Sequence, residues 1–173
     1  MKKWYIVKSN WEKTLNNLTA LGLKEYYGLG GNLWPECSLY NEIEKAREYI
    51  ELDSGEFFYV VTDVFIAMKY CKELEALEEG VILLELKEGV DTYCDGYDFG
   101  SPDGGYSVIE SEIITKLDTV YAKRFLNDYG LFYNLESLEA FLNTLDRNYV
   151  EDMYSYQPVS IKNITHMINN EYI

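Results

Sequence analysis

Short β-branched and aromatic runs alternate along this chain with stretches whose apolar residues recur every three or four positions. These two periodicities separate strands from amphipathic helices. WYIVK, 4–8, predicts a strand. Ser9 and Glu12 then form an S-x-x-E pair that can satisfy the first amides of a helix starting near Asn10. Trp11, Leu15 and Leu18 form its apolar face, and Gly22 supplies a left-handed stop. YYGLGGNLWPE, 26–36, predicts a loop and lacks the G-K-[ST] ending of a phosphate loop. Ser38 caps a second predicted helix with Leu39, Ile43, Ala46 and Ile50 on its buried stripe, ending near Asp53 to Gly55.

FFYVV, 57–61, predicts another strand, after which Thr62 or Asp63 caps a helix with Phe65, Ala67, Met68, Cys71 and Leu74 as core side chains, stopping at Gly80. VILLELK, 81–87, follows as a strand. Residues 89–106, with five glycines, four aspartates and a proline, predict the longest loop. Alternation resumes from Val108 to about Val120, which places Glu110 and Glu112 side by side on one face of a strand. Asn134 caps a helix carrying Leu135, Leu138, Phe141, Leu142 and Leu145, and a last helix is predicted over 161–170. The expected fold class is α+β: a single compact domain over 1–173, with a mixed or antiparallel sheet, several packed helices and a helical C-terminal part over 134–170.

A chain of 173 residues that is 47% hydrophobic can build its core without metal or disulfide support. Cys37, Cys71 and Cys94 are odd in number and form no CxxC pattern, so a reducing, cytoplasmic setting is expected and no metal site is implied. No stretch has the apolar length of a signal peptide or membrane span. The net charge of −15 changes the picture further. It opposes DNA, RNA and anionic lipid and favours a basic protein surface as partner. His166 is the one histidine, which removes most histidine-base hydrolase mechanisms.

The loop aspartates Asp91, Asp95, Asp98 and Asp103 do not follow the spacing of a calcium loop and are expected to be solvated turn residues. Cys71, on an apolar helix side, is expected to be inert. Among seventeen tyrosines, Tyr93, Tyr97 and Tyr106 fall in the predicted loop and are the candidates for substrate or partner contact. Glu110 and Glu112 are open to two readings. Like charges held together raise one pKa and suit acid/base work, whereas an edge strand with a solvated acidic face needs no function at all.

The order of these pieces resembles the ADP-ribosyltransferase-like fold, a family that cleaves NAD at the nicotinamide ribosyl bond. YIVKSNWEKTLNNLTALGL, 5–23, is similar to the family's first strand and helix; YVVTDVFIAMKYC, 59–71, to its second-motif strand and helix; GVILLEL, 80–86, to the next strand; and IESEII, 109–114, to its E-x-E strand. The resemblance covers about 4–120. It implies that Glu112 is the catalytic glutamate, that Glu110 activates an acceptor, that Thr62 supplies a supporting hydroxyl, and that Tyr106 recognises the acceptor. The family carries a His or Arg on the first strand to hold NAD; here only Lys8 is available, a point charge without a planar fork. The rival expectation is a non-catalytic acidic binding or inhibitor protein, of the kind that blocks defence nucleases or neutralises toxins, covering a basic surface of its partner.

Overall fold

The computed structural model describes residues 3–9, 12–29, 58–61, 63–75, 80–101, 106–153 and 156–169. Six strands form one antiparallel sheet: β1 (Lys3–Ser9), β2 (Phe58–Val61), β3 (Val81–Glu88), β4 (Gly96–Ser101), β5 (Tyr106–Ser107) and β6 (Gln157–Asn163). Their spatial order is β2-β1-β3-β6-β4-β5. The helices are α1 (Glu12–Leu21), α2 (Val64–Glu75), a π-helical turn at Glu110–Ile114, α3 (Thr119–Phe125), α4 (Leu135–Leu142), α5 (Arg147–Glu151) and α6 (His166–Asn169). The fold is therefore α+β with an antiparallel sheet, as the sequence predicts.

Strand alternation divides the core in two. Trp4, Ile6 and Lys8 pair with Leu86, Leu84 and Ile82 across the β1–β3 ladder, so these six share one face. With Val159 and Ile161 of β6 they meet Leu18, Tyr26, Leu29, Ile113, Phe125, Phe132 and Phe141 in the larger apolar cluster. Tyr5, Val7 and Leu83 point the other way, where α2 packs on β1, β2 and β3 and contributes buried Ala67, Met68 and Cys71. Burial among these neighbours pushes the Cys71 thiol up to about 12, in keeping with an inert cysteine. Asp63 caps α2 through Oδ1, which accepts from the amides of Phe65 and Ile66 at 2.8 and 3.2 Å. Asn134 and Ser137 close a reciprocal capping box on α4.

Several expectations are corrected. The 89–106 segment is not one loop, because β4 and β5 lie within it. Three of its four aspartates serve the fold: Asp91 pairs with Lys87, Asp95 Oδ2 accepts from Asn163 N at 2.7 Å, and Asp98 is fully buried; Asp103 lies outside the described residues. The expected helix over 161–170 does not start at Ile161, because β-branched Val159 and Ile161 extend β6 between β3 and β4, and α6 is the helix that follows among the described residues. Phe65 is not a core side chain; it is 58% exposed on the outer side of α2.

A further correction concerns Glu110 and Glu112, which occupy the π-helical turn and not a strand. Buried Val108, Ile109, Ile113 and Ile114 explain why. They are spaced i, i+1, i+5 and i+6, which brings 108 with 113 and 109 with 114 onto one side of an i→i+5 turn, whereas a strand would have mixed them with the glutamates. Thr115 N donates to Glu110 O at 2.9 Å, the bond that defines this turn. The predicted helix over 38–50 lies outside the described residues.

Candidate functional site

A compact polar cluster interrupts the larger core where β1, β4 and β5 meet the 23–29 segment. That segment is fixed against the 127–130 turn: Lys24 N and Glu25 N donate to Asp128 O, and Tyr27 N donates to Tyr129 O at 3.0 Å. Tyr27 and Tyr129 also stack, with centroids 4.7 Å apart. Gly28 and Gly130 make the close approach possible, since a Cβ at either would come within 2.3 or 2.7 Å of Tyr26 atoms.

Tyr26 fills this gap. Lys8 Nζ lies 4.0 Å over its ring centroid and donates to Gly28 O at 3.4 Å. The Tyr26 hydroxyl is buried beside Ser107 and Glu110 without closing a hydrogen bond of normal geometry. Burial raises its pKa well above the usual phenol value, and the charges of Glu110 and Asp98 add to the shift.

Asp98 anchors the other half of the cluster. Its Oδ2 accepts from Leu29 N at 2.9 Å and from Ser107 Oγ at 2.5 Å, and its Oδ1 accepts from Phe99 N at 2.7 Å. Ser107 Oγ in turn accepts from Glu110 N at 3.1 Å. Burial pushes the Asp98 carboxyl up to about 6, against the lowering effect of these donors. The cluster thus ties β4, β5, the 23–29 segment and the start of the π-helical turn together through one carboxylate.

The structure sorts the expected site residues as follows. Lys8 and Glu110 are brought to the same tyrosine. Glu112 is directed elsewhere: Tyr149 Oη donates to its Oε1 at 3.0 Å, and Lys116 pairs with its Oε2. Lys8 is 1% exposed on the core face of β1, so its ammonium presents no surface to a phosphate from solvent. Thr62 lies outside the described residues. Tyr106 begins β5, its backbone paired with Ser101. Tyr97 is corrected as a contact residue, since it is buried in β4 and its hydroxyl donates to Asp91 O at 2.8 Å. Tyr93 is 83% exposed.

Sequence reasoning missed Tyr26, Asp98 and Ser107. The available signal was GYDFGS, in which an acid sits between two aromatic residues at strand periodicity. No group of His, Cys, Asp and Glu suited to a metal ion occurs among the described residues. No helix among them is long and apolar enough to cross a membrane. Two grooves of about 490 and 500 Å³ flank Tyr133. Neither is lined by Lys8, Glu110 or Glu112. No protein-family model, curated protein or solved structure matches this chain.

Proposed function

We propose that this protein acts by binding, placing an acidic, tyrosine-bearing face against a basic surface of a partner protein in the manner of an inhibitor. The observation that carries the reading is the stretch from Asp128 to Asp146, which holds four acids and no lysine or arginine. Within it Glu136 and Glu139, three residues apart on the outer side of α4, are exposed, and Tyr133 beside them is 58% exposed. Carboxylates there steer a cationic surface, and an accessible tyrosine supplies semi-polar contact area. The test is capture of partners from a cell lysate by wild-type protein and by Glu136→Lys/Glu139→Lys. A basic protein retained by the wild type and lost by the variant supports the reading; equal retention overturns it.

A second reading, an ADP-ribosyltransferase-like protein that cleaves NAD and transfers ADP-ribose, or a degenerate relative, rests on the sequence resemblance alone, because Lys8 and Glu110 meet at buried Tyr26 while Glu112 turns to Tyr149 and Lys116. Purified protein incubated with labelled NAD separates the two. Nicotinamide release that Glu112→Gln abolishes would establish the second reading in place of the first.

A further inference from the structure

The Tyr26 hydroxyl is the one buried side-chain polar atom without a hydrogen-bond partner among the described residues. A phenol enclosed in this way ordinarily finds one, because an unmade bond costs the full desolvation of the group. Two groups stand beside it, the Ser107 hydroxyl and the Glu110 carboxylate. Ser107 is already engaged: its Oγ donates to Asp98 Oδ2 and accepts from Glu110 N. A serine hydroxyl has a single proton, so while it serves Asp98 it has none to give Tyr26.

Asp98 decides which way that proton points. Fully buried, its ionised carboxylate accepts from Leu29 N, Phe99 N and Ser107 Oγ. A proton added at Oδ2 reverses the last of these bonds: Oδ2–H donates to Ser107 Oγ, the freed Ser107 Oγ–H donates to Tyr26 Oη, and Tyr26 Oη–H donates to the Glu110 carboxylate. Each hydroxyl then both gives and receives a bond. The charged groups on the elements packed around Asp98 are few among the described residues. Lys8 of β1 lies over the Tyr26 ring and donates to Gly28 O; Glu88 of β3 shares the Asp98 face of the sheet but is a strand away, across Val159 of β6; and α4 turns Glu136 and Glu139 to solvent. Burial is what favours the proton on Asp98.

We propose that Asp98, Ser107, Tyr26 and Glu110 form a proton-linked switch, in which uptake of one proton by Asp98 closes a hydrogen-bond chain from this buried acid to half-buried Glu110, and loss of the proton breaks the chain at Tyr26. The chain joins β4, β5, the 23–29 segment and the π-helical turn, so the protonation state of the core is felt at Glu110. It depends on neither reading of the protein's function.

The test is carbon NMR of the full chain labelled at its side-chain carboxyls, with the Asp98 signal identified by its loss in Asp98→Asn. In the wild type Asp98 should titrate at about pH 6, and the Glu110 carboxyl should show a step at the same midpoint. Tyr26→Phe keeps the ring and removes the hydroxyl that rewards the neutral form of Asp98, so the midpoint should fall by about half a pH unit or more. A tyrosine that merely fills space would leave the midpoint in place, or raise it as a polar group is lost. In Ser107→Ala, which has no hydroxyl to redirect, adding Tyr26→Phe should have no further effect. A midpoint unmoved or raised by Tyr26→Phe overturns the proposal. So does an equal effect of Tyr26→Phe with and without the Ser107 hydroxyl, or, in the unsubstituted chain, a Glu110 carboxyl with no step at the Asp98 midpoint.

Discussion

Ser107 donates to Asp98, Oγ to Oδ2 at 2.5 Å, and Asp98 is the one fully buried carboxylate among the described residues. Besides this hydroxyl, the carboxylate receives the amide of Leu29 from a segment sixty-nine residues earlier in the chain. Two strands and a crossing segment therefore depend on one buried acid. Charged groups are ordinarily placed this way only when donors surround them.

The Asp98 carboxyl is held up at about 6 against an ordinary value of 3.8. The folded chain thus binds this proton more tightly than the unfolded chain. The group's contribution is fully present below the unfolded value and is lost as pH rises through the folded one. Between pH 7 and pH 4 the native state should gain on the order of 2–3 kcal/mol from this group. Asp98→Ala removes the titration and leaves the Leu29 amide and Ser107 hydroxyl without their acceptor, costing about 2–4 kcal/mol at pH 7. Urea unfolding of both proteins across this range should show the gap widening towards pH 4. A gap that narrows would mean that the carboxyl is not the titrating group.

Gly28→Ala tests the close approach on the other side of the cluster. The added Cβ would meet Tyr26 Oη at 2.3 Å and two ring carbons at 2.5 Å, and the ring is backed by Gly130 and Lys8. Overpacking of this kind costs about 1–3 kcal/mol. Thermal unfolding should show a lower midpoint, whereas Gly22→Ala, which meets no atom within 4 Å, should show only the smaller penalty of its positive φ.

Substitution of Lys8 and Glu112 should separate structural from catalytic roles. Lys8 is enclosed by Tyr26 and the Gly28 carbonyl, so Lys8→Ala should remove buried packing and lower stability by about 2–4 kcal/mol. Glu112→Gln keeps the side-chain volume and gives up an ion pair whose lysine is 58% exposed, so the loss should be under about 1 kcal/mol. Denaturant titration gives both values. Calorimetry with NAD, run on the same samples, should give no binding heat for the wild type if the binding reading is correct.

Elements whose pattern was unambiguous were legible in the sequence. WYIVK and VILLELK appear as β1 and β3, and Asn134 and Asp63 cap the helices they precede. Difficulty came where one residue type serves opposite environments. An aspartate among glycines usually marks a solvated turn, and Asp98 breaks that rule because Tyr97 and Phe99 make its segment a strand. The SVIESEII stretch could be read with period two or with a five-residue repeat, and burial of Ile109 and Ile113, which alternation alone would not place with Val108 and Ile114, selected the second. The Lys8–Tyr26 contact was invisible because it joins residues from a strand and a loop with no shared periodicity.

The acidic face of α4 makes a kinetic prediction. If Glu136 and Glu139 steer a basic partner, attraction acts before contact, and its range is set by the Debye length, about 30 Å at 0.01 M salt and 8 Å at 0.15 M. The association rate with the captured partner should therefore fall steeply over that interval, while the dissociation rate, governed by short-range contacts around Tyr133, should change much less. Glu136→Gln/Glu139→Gln should flatten the salt dependence and slow association at low salt. Because both glutamates are exposed, the folded state should be altered by no more than about 0.5 kcal/mol. Tyr133→Ala should act on the other rate, accelerating dissociation with little effect on the salt slope, since it removes contact area and no charge. Stopped-flow or surface-based kinetics on these variants measures both rates. A wild-type association rate independent of salt would assign the partner to an apolar surface and leave the charge of −15 as a determinant of solubility alone.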